Sequence, residues 1–488
     1  MKKIFVLLII MNVVSSFVFA QWNQVGDAIS GENTEYQYLK YVEISGDGSV
    51  VVAGSTSGVV LAYEKNVSDE WIKIGDTFTD ESSANLNGEV SINYDGSVVA
   101  MSGGGWSSRE YVCVYERNAD TWELLGDTIV GETGNVMFGY SFVLNDEGNV
   151  IAISATNDNS NTGSVYVYEL NGESWELKGD VIHGEAGEMM GWGTDISSDG
   201  NTVVVGSKYK SPSGEIKVYE YSAGLWGLKG SPVLGDGSNS HFGADVSING
   251  DGTIIAAGAP DGKDSEGVID DIGYVKVYEF VSGDWQQIGD TFYGNSENSQ
   301  AGASVSLNAV GDLLAVGSPG YALAGGTEER GLADVLKLYD GIWRPYGNND
   351  SPGYSIYGSS VDDDNMGFNV SLDAIGSTVA IGIPGRDENA VAESGVIEVY
   401  HNGNISNEIH DPMKFENIKV YPTIVTDILN IESDVDITVE IYSTDGKLLI
   451  KEESCQNSKI DFLSLDKGLY LVKINSGAIV YSTKIIKN

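Results

Sequence analysis

Side chains that could perform catalysis are scarce in this sequence, whereas oxygen-bearing side chains are abundant. The chain has 71 Asp and Glu residues against 27 Lys and Arg, and only four histidines, none of them in a metal-ligand spacing. It contains neither a nucleophile-elbow motif nor a phosphate-binding loop. Glycoside hydrolysis needs only two carboxylates, so the sequence leaves that chemistry open. We assign no catalytic residue and favour a binding protein over an enzyme.

Many of the carboxylates lie in long loops whose lengths vary along the chain. Binding sites tend to lie on variable loops that a rigid scaffold carries, and Ca²⁺ takes several oxygen ligands. We therefore predict an acidic face that binds a partner, with Ca²⁺ as a candidate cofactor; ordinary solvated loops are the alternative. The predicted binding residues are Trp106, Asp261, Asp264, Asp270, Asp271, Asp362, Asp363, Asp364 and Asp387. A second candidate calcium loop has oxygen-bearing side chains at Asn157, Asp158, Asn159 and Asn161.

The formal net charge of −44 restricts the kinds of partner. A nucleic-acid backbone or an anionic membrane surface would be repelled. The acidity suits either the solubility of an exported protein or the binding of cations.

The elements that must carry these loops repeat along the chain. A Trp that is usually followed by Gly-Asp recurs seven times, from Trp22 to Trp343. A Tyr ends another apolar run seven times, from Tyr63 to Tyr400, and a Gly turn closes the first hairpin seven times. A period of about 50 to 60 residues with four strands is typical of a β-propeller. We predict an all-β fold with a seven-bladed β-propeller.

Two local features of the repeat lead to further predictions. Four hairpin turns are Asp-Gly, which predicts tight turns with positive φ at both central residues. The periodic Trp residues are expected to pack at the same place in each unit. Trp106 and Trp192 lie outside this register and are better candidates for stacking on a ligand, and for Trp192 filling of the core is an equal alternative.

The two ends of the repeat region complement each other. The segment from Trp22 to Gly31 reads as a fourth strand without its first three, and Phe368 to Tyr400 reads as three strands without a fourth. Pairing the N-terminal strand with the last blade would close the ring and leave no open sheet edge. A linear solenoid is the alternative.

The repeats resemble the FG-GAP repeats of integrin-α-type propellers. The resemblance rests on Phe242–Ser247, Asp251-Gly252, Ala257–Pro260 and Gly273–Tyr278, and it extends over about Gln21 to His401. In that family calcium sits in an expanded, Asp-rich hairpin between the first and second strands. The corresponding hairpins here are short, so the family's calcium sites are not carried over.

The first 20 residues have the features of a secretory signal peptide. Lys2-Lys3 precedes the apolar run Ile4–Val14, and Val18 and Ala20 place cleavage after Ala20. The run is too short for a bilayer-spanning helix. The two cysteines, Cys113 and Cys455, fall in different predicted domains, so we expect no disulfide between them.

The composition changes after Tyr400, and several short strands follow a linker, which predicts a small β-sandwich with an Ig-like fold. This end resembles the C-terminal sorting domain of type IX (Por) secretion. The matching residues are Tyr421-Pro422, Leu429, Ile431, Ile441-Tyr442, Gly446-Lys447, Gly468–Tyr470, Lys484 and Lys487. Thr423-Ile424 departs from the family's usual Asn-Pro. The resemblance implies export by the type IX machinery, followed by release or surface attachment.

The predicted organisation is therefore a signal peptide (1–20), a propeller (21–404), a linker (405–416) and a sorting domain (417–488). We expect a secreted or cell-surface binding or adhesion protein whose partner is an extracellular protein or polysaccharide. A glycan-binding or glycan-processing protein and a structural surface-coat component are the alternatives.

Overall fold

A computed structural model describes most of the chain. It covers residues 22–30, 39–55, 58–76, 78–79, 88–104, 110–131, 137–322, 329–346, 355–359, 364–386 and 395–402, and, towards the C-terminus, 418–421, 424–425, 428–433, 437–443, 447–455, 458–462, 465, 468–476 and 479–487. Residue contacts divide the chain into two compact units, Met1–Ile409 and His410–Asn488. Both units are built almost entirely from β-strands.

The described residues of the first unit form seven five-stranded antiparallel sheets. The first described strands are β1 (Asn23–Gln24) and β2 (Ile29–Ser30). Sheet 1 contains β3 (Leu39–Ile44), β4 (Val50–Ser55), β5 (Val59–Lys65), β6 (Trp71–Lys73) and β7 (Phe78–Thr79). Sheet 2 contains β8 (Val90–Ile92), β9 (Val98–Gly103), β10 (Tyr111–Asn118), β11 (Thr121–Leu124) and β12 (Ile129–Val130). Sheet 3 contains β13 (Phe138–Leu144), β14 (Val150–Ala155), β15 (Ser164–Asn171), β16 (Ser174–Leu177) and β17 (Ile182–His183), with a helical turn, α1 (Asp158–Asn161), after β14.

The remaining sheets repeat this order. Sheet 4 contains β18 (Thr194–Ile196), β19 (Thr202–Ser207), β20 (Glu215–Ser222), β21 (Leu225–Leu228) and β22 (Val233–Leu234). Sheet 5 contains β23 (Val246–Ile248), β24 (Ile254–Ala259), β25 (Tyr274–Val281), β26 (Asp284–Gln287) and β27 (Phe292–Tyr293). Sheet 6 contains β28 (Ser304–Leu307), β29 (Leu313–Ser318), β30 (Leu332–Tyr339), β31 (Ile342–Pro345) and β32 (Ile356–Tyr357). Sheet 7 contains β33 (Asn369–Leu372), β34 (Thr378–Ile383) and β35 (Val396–His401), and β1 and β2 complete it.

The N-terminal strands thus pair with the last strand of the repeat region, the pairing expected from the sequence. Asn23 lies opposite His401, and Ile29 lies opposite Ile397. Trp22 is buried in a core that also contains residues of sheets 6 and 7. The segment therefore supplies the outer strand that sheet 7 would otherwise lack.

The second strand of each sheet is mostly apolar and is buried along nearly its whole length. In β14 and β19, for example, all six residues are buried. Both faces of these strands lie against neighbouring apolar side chains, so their sequences read as continuous runs of Val, Ile and Ala instead of alternating with polar residues. Because both faces are buried, the periodicity of apolar residues in the sequence cannot by itself distinguish these strands from buried helices.

The hairpin turns differ from the predicted two-residue turns. In the first hairpin Gly48 has a φ of 73°, whereas Asp47 is not among the residues with positive φ. The Ser45 amide donates to the Val50 carbonyl, so four residues lie between the paired ends. The Asp47 side chain instead accepts the amide of Ser49 at 2.9 Å. The Asp is therefore selected for a side-chain hydrogen bond within the turn, and only the Gly for its backbone conformation.

Neighbouring sheets approach closely at paired glycines. A Cβ on Gly206 would lie 2.0 Å from the carbonyl oxygen of Gly243, and one on Gly258 would lie 1.9 Å from that of Gly302. Any side chain at these positions would push the next sheet away. The Phe-Gly and Gly-Ala pairs of the repeat thus set the spacing between sheets.

The periodic Trp residues have the shared packing role that the sequence predicts. Six of them donate their indole N–H to a backbone carbonyl of the preceding sheet, at the residue three positions after that sheet's own Trp. The pairs are Trp71 to Val25, Trp122 to Ile74, Trp175 to Leu125, Trp226 to Lys178, Trp285 to Lys229 and Trp343 to Ile288, at 2.6 to 3.3 Å. The shared hydrogen bond gives these indoles a structural role.

In the part of the second unit that the structure describes, the strands form two sheets. One is formed by β36 (Ile418–Tyr421), β38 (Ile428–Ser433) and β41 (Ser458–Asp461). The other is formed by β37 (Ile424–Val425), β39 (Ile437–Ser443), β40 (Leu448–Cys455), β42 (Gly468–Ser476) and β43 (Ile479–Lys487). Leu429 and Ile460 of the first sheet share one buried core with Val439 and Val472 of the second. The two sheets therefore pack against each other.

Candidate functional site

Side chains from the first strand of each sheet link the sheets of the first unit. The equivalent residues are Glu43, Ser91, Val143, Asp195, Ser247, Ser306 and Ser371. All but Val143 accept a backbone amide from the following sheet. The bonds are Ile92 N to Glu43, Leu144 N to Ser91, Ile248 N to Asp195, Leu307 N to Ser247, Leu372 N to Ser306 and Ile44 N to Ser371, at 2.7 to 3.2 Å. The last of these joins sheet 7 to sheet 1.

Val143 interrupts this series, and Asp195 compensates for it. Valine cannot accept a hydrogen bond, so the amide of Ile196 has no partner on sheet 3 at this position. Asp195 Oδ1 accepts that amide at 2.8 Å, while its Oδ2 accepts Ile248 N from the next sheet at 2.8 Å. A carboxylate is suited to this position because its two oxygens can satisfy both amides at once.

Asp245, the residue just before the first strand of sheet 5, plays the same role. Its equivalent in sheet 4 is Gly193, which has no side chain to accept a hydrogen bond. Asp245 Oδ1 accepts Val246 N at 3.0 Å, and its Oδ2 accepts Val305 N at 2.8 Å. Two carboxylates are thereby fixed beside the innermost strands.

The protein surroundings raise the pKa of four carboxyls that face this region. Burial raises the pKa of Glu43 to about 8, that of Asp195 to about 7 and that of Asp245 to about 6, in each case against the opposing effect of hydrogen bonds from backbone amides. Burial also raises the pKa of Glu89 well above its usual value, and the charges of Asp245 and Glu43 add to the effect. These groups hold their protons to higher pH than ordinary carboxyls do.

A cavity of about 500 Å³ lies at one end of the first strands, and all seven sheets described above contribute to its walls through these strands or the residues beside them. Its aromatic walls are Tyr41, Tyr140, Trp192 and Phe368. Its polar lining includes Glu89, Lys208, His241, Asp245, Asp261, Gln300, Asn365 and Asn369. The volume and the mixture of rings with a few polar groups are typical of a small-molecule site.

The aromatic residues form a connected wall on one side of the cavity. The Tyr140 ring meets Trp192 edge to face with centroids 4.6 Å apart, and Tyr209 meets both Trp192 and His241 at 5.1 Å. The imidazole Nδ1 of His241 is in hydrogen-bonding contact with the carboxylate of Asp261. These contacts hold the rings and the imidazole in fixed orientations.

Of the acidic residues predicted from the sequence, Asp261 lies in the cavity wall. Asp264 and Asp270 lie in the loop between β24 and β25, where Asp264 accepts the amides of Val268 and Ile269 and Asp270 contacts Lys263. Asp271 lies in the same loop with a φ of 49°. The structure thus separates these three residues from the cavity lining.

Asp364 belongs to a buried ionic group. Its side chain is fully buried, and it accepts hydrogen bonds from the Arg386 guanidinium, whose Nη2 lies 3.0 Å away. Arg386 also contacts Glu398, so the three side chains form a buried ionic group. Trp106, Asp362, Asp363 and Asp387 lie outside the described residues.

The candidate calcium loop contains one carboxylate, and that carboxylate is turned inward. Asp158 is 6% exposed and accepts hydrogen bonds from the hydroxyls of Ser164 at 2.6 Å and Tyr166 at 3.1 Å. Asn159 and Asn161 have φ values of 50° and 69°. In the described part of the chain, no group of three or more His, Cys, Asp or Glu side chains is arranged to hold a metal ion.

Sequence reasoning did not identify the acidic residues of the inner strands or Lys208. A signal for the former was present, because aligning the repeats by their hairpin turns places a polar residue at the same position of the first strand in six of seven units. Lys208 follows β19 at the end of an apolar run, and nothing in the sequence around it indicates that it lines a cavity. Trp192 was recognised as lying outside the repeat register, and it does line the cavity.

Comparison with known proteins identifies only the C-terminal part of the chain. No curated protein matches the chain. No helix among the described residues has the length and apolar character needed to cross a bilayer. Residues 419–488 match the family model of the secretion system C-terminal sorting domain. The C-terminal unit therefore carries a type IX sorting domain, which marks secreted and cell-surface proteins.

Proposed function

We propose that the protein is an extracellular binding protein and that the cavity beside its inner strands holds the ligand. The cavity carries this proposal, because residues distant in sequence, such as Tyr41, Trp192 and Phe368, converge on one concave site. The sorting domain indicates export by the type IX system, so the ligand would be met outside the cell. Attachment of the cell to a surface or a polymer would follow from such binding.

The fold that we propose for the first unit is a seven-bladed β-propeller closed by the N-terminal strand. The hydrogen bonds between successive first strands, including the one from Ile44 to Ser371, support this arrangement. The pairing of β1 with β35 supports closure. The glycine contacts between sheets support the FG-GAP resemblance, and the shared core of the second unit supports an Ig-like sandwich.

The remaining sequence predictions complete the proposal. A signal peptide (1–20) would direct export from the cytoplasm, and the propeller (21–404) would be joined by a linker (405–416) to the sorting domain (417–488). The acidic loop that carries Asp264, Asp270 and Asp271 is a second candidate surface for a partner. Calcium binding at Asn157–Asn161 stays a prediction, which a calcium titration monitored by thermal melting would test.

Glycan processing is a second candidate function, and two carboxyls of the cavity favour it. Glu89 and Asp245 both line the cavity, and burial raises the pKa of Glu89 well above its usual value but that of Asp245 only to about 6. Two carboxyls whose pKa values are separated in this way can act as general acid and general base. Release of reducing ends from a polysaccharide by the wild type, and its loss in Glu89→Gln, would support this function.

A binding screen with a cavity-filling variant tests the main proposal. The probes are immobilised neutral, acidic and amino polysaccharides together with an array of peptides. Ala303 lines the cavity and is partly exposed, so Ala303→Trp fills the site without removing a contact. The exposed Ala309, in the turn between β28 and β29, gives the matched control Ala309→Trp. We expect Ala303→Trp alone to abolish binding; equal binding by both variants would place the site elsewhere.

A further inference from the structure

We propose that the cavity binds the end of an acidic oligosaccharide, and that the ammonium group of Lys208 pairs with a carboxylate of the ligand. This inference rests on the proposed function, since it names the ligand class of the same cavity. It starts from an anomaly of charge. In a chain with 71 acidic residues, two partly buried lysines beside the cavity are held by aromatic rings and not by carboxylates.

Lys208 is the first of these lysines. Its Nζ lies 3.7 Å from the centroid of the Trp192 ring and 5.2 Å from that of Tyr209. Burial lowers the pKa of Lys208, and the nearby charge of Asp261 only partly opposes this effect. Among the described residues no carboxylate lies within ion-pair distance of it.

Lys40 is the second. Its Nζ lies 4.7 Å from the centroid of Tyr41 and 5.1 Å from that of Phe368, and both rings line the cavity. Burial also lowers the pKa of Lys40, and the nearby charge of Glu89 only partly opposes this effect. Its ammonium group adds positive potential behind the aromatic wall.

Other buried lysines of the first unit are paired with carboxylates. Lys178, Lys217, Lys229 and Lys276 have side chains no more than 9% exposed, and each lies within 3.3 Å of a carboxylate oxygen. Burying an ammonium group without a counter-charge is costly. Lys40 and Lys208 retain this cost, which an anionic ligand would remove.

The carboxyls around the cavity do not fill the role of partner. The carboxylate of Asp261 is in contact with His241, and both oxygens of Asp245 accept backbone amides. Burial raises the pKa of Glu89 well above its usual range, which reduces its charge near neutrality. The acidic side chains around Lys208 are therefore engaged with other groups. Its ammonium group, above the ring of Trp192, is the cation that an anionic ligand would meet.

The lining favours a sugar over an acidic peptide. Extended peptides bind by adding to a free strand edge. Here the amides of Ile248 and Val305 on the inner strands already donate to side chains of neighbouring sheets. The cavity offers instead aromatic rings and the side-chain amide of Gln300, groups that suit the apolar faces and hydroxyls of a sugar, whereas the amides of Asn365 and Asn369 also bond to protein groups.

Calorimetry on the full chain tests this inference. The probes are short oligosaccharides of galacturonate, glucuronate and mannuronate, each with its neutral hexose counterpart, and triglutamate as the acidic peptide. We expect at least one uronate series to bind about tenfold to a hundredfold more tightly than its neutral counterpart, as for a charge-assisted contact in a partly buried site. Lys208→Met, which keeps an apolar chain over Trp192, should remove this preference.

Lys210 provides the matched control. It lies on the same loop as Lys208, but its Nζ is paired with Glu185 at 2.6 Å. Lys210→Met should leave the preference unchanged. Since the contact is ionic, the advantage of the wild type over Lys208→Met for uronates should shrink as salt rises, whereas the overall repulsion from the net charge of −44 is nearly the same in both proteins.

Several results would overturn the inference. They are equal affinity for neutral and acidic sugars, tighter binding of triglutamate, an unchanged preference in Lys208→Met, and no binding of any uronate. If a neutral sugar binds and Ala303→Trp abolishes its binding, the proposed function survives and only the ligand class is wrong. If the sugars still bind to Ala303→Trp, the cavity itself is not the site.

Discussion

Replacing the carboxylate of Asp195 should expose how the protein compensates for Val143. In Asp195→Ser the new hydroxyl can still accept Ile248 N, as Ser247 accepts Leu307 N at 3.0 Å. It cannot also serve Ile196 N, which Asp195 Oδ1 now accepts at 2.8 Å. A buried amide left without an acceptor costs about 1–3 kcal/mol.

A second substitution should restore the missing partner. Val143 occupies the position at which Ser91 accepts the amide of the following sheet at 3.0 Å. Val143→Ser therefore places a hydroxyl opposite Ile196 N. Alone it should cost about 1 kcal/mol, because it removes apolar contact. Combined with Asp195→Ser, it should recover about 1–2 kcal/mol, so the two substitutions are coupled favourably.

Hydrogen exchange at Ile196 measures this effect directly. In Asp195→Ser, exchange of this amide should accelerate about 5- to 30-fold, the factor that corresponds to 1–2 kcal/mol. In the double variant the protection should return, whereas Val143→Ser alone should change it little. Thermal melting of the four proteins gives the coupling independently. Additive effects in melting, with equal exchange at Ile196 in the single and double variants, would refute the argument that Asp195 replaces a missing acceptor.

Four further predictions concern stability and export. Burial raises the folded-state pKa of Asp195 to about 7 from 3.8, so its contribution to stability is full below about pH 4 and is lost as the pH rises through 7. The unfolding free energy of the wild type relative to Asp195→Asn should therefore fall by about 2–4 kcal/mol between pH 4 and 8. A difference that does not change with pH would contradict this. Cysteines at Gln24 and Tyr400, which lie opposite each other in β1 and β35, should form a disulfide on oxidation and raise the melting temperature, while neither single variant should. Trp226→Phe, which loses a 2.6 Å hydrogen bond to the Lys178 carbonyl, should cost about 1–2 kcal/mol in denaturant unfolding. Deleting residues 419–488 should retain the protein inside the outer membrane, as fractionation would show.

The repeating scaffold was predictable because it depends on local signals. Gly48 and Trp71 recur in equivalent form in every unit or nearly so, and incomplete units at both ends indicated the pairing of β1 with β35. The Asp-Gly dipeptide alone predicts the wrong turn geometry, because only the Gly has a positive φ. The same dipeptide serves a two-residue turn or a longer one, and the choice depends on side-chain hydrogen bonds such as the one from Ser49 N to Asp47.

The candidate site was largely beyond prediction because it depends on contacts between distant residues. Glu43 and Asp195 look like isolated charges in apolar strands, and their role requires knowing which amide of the next sheet faces each of them. The cavity is formed by residues more than 300 positions apart, such as Tyr41 and Phe368. Asp261 was identified for the acidity of its loop, whereas in the structure it contacts His241 in the cavity wall.

The most direct test of the account is a crystal structure of the protein with a ligand that the binding screen identifies. We expect density for the ligand in the cavity, against Trp192 and beside the Nζ of Lys208. Density on the acidic loop around Asp264 or on the outer strands, with the cavity unchanged, would contradict it.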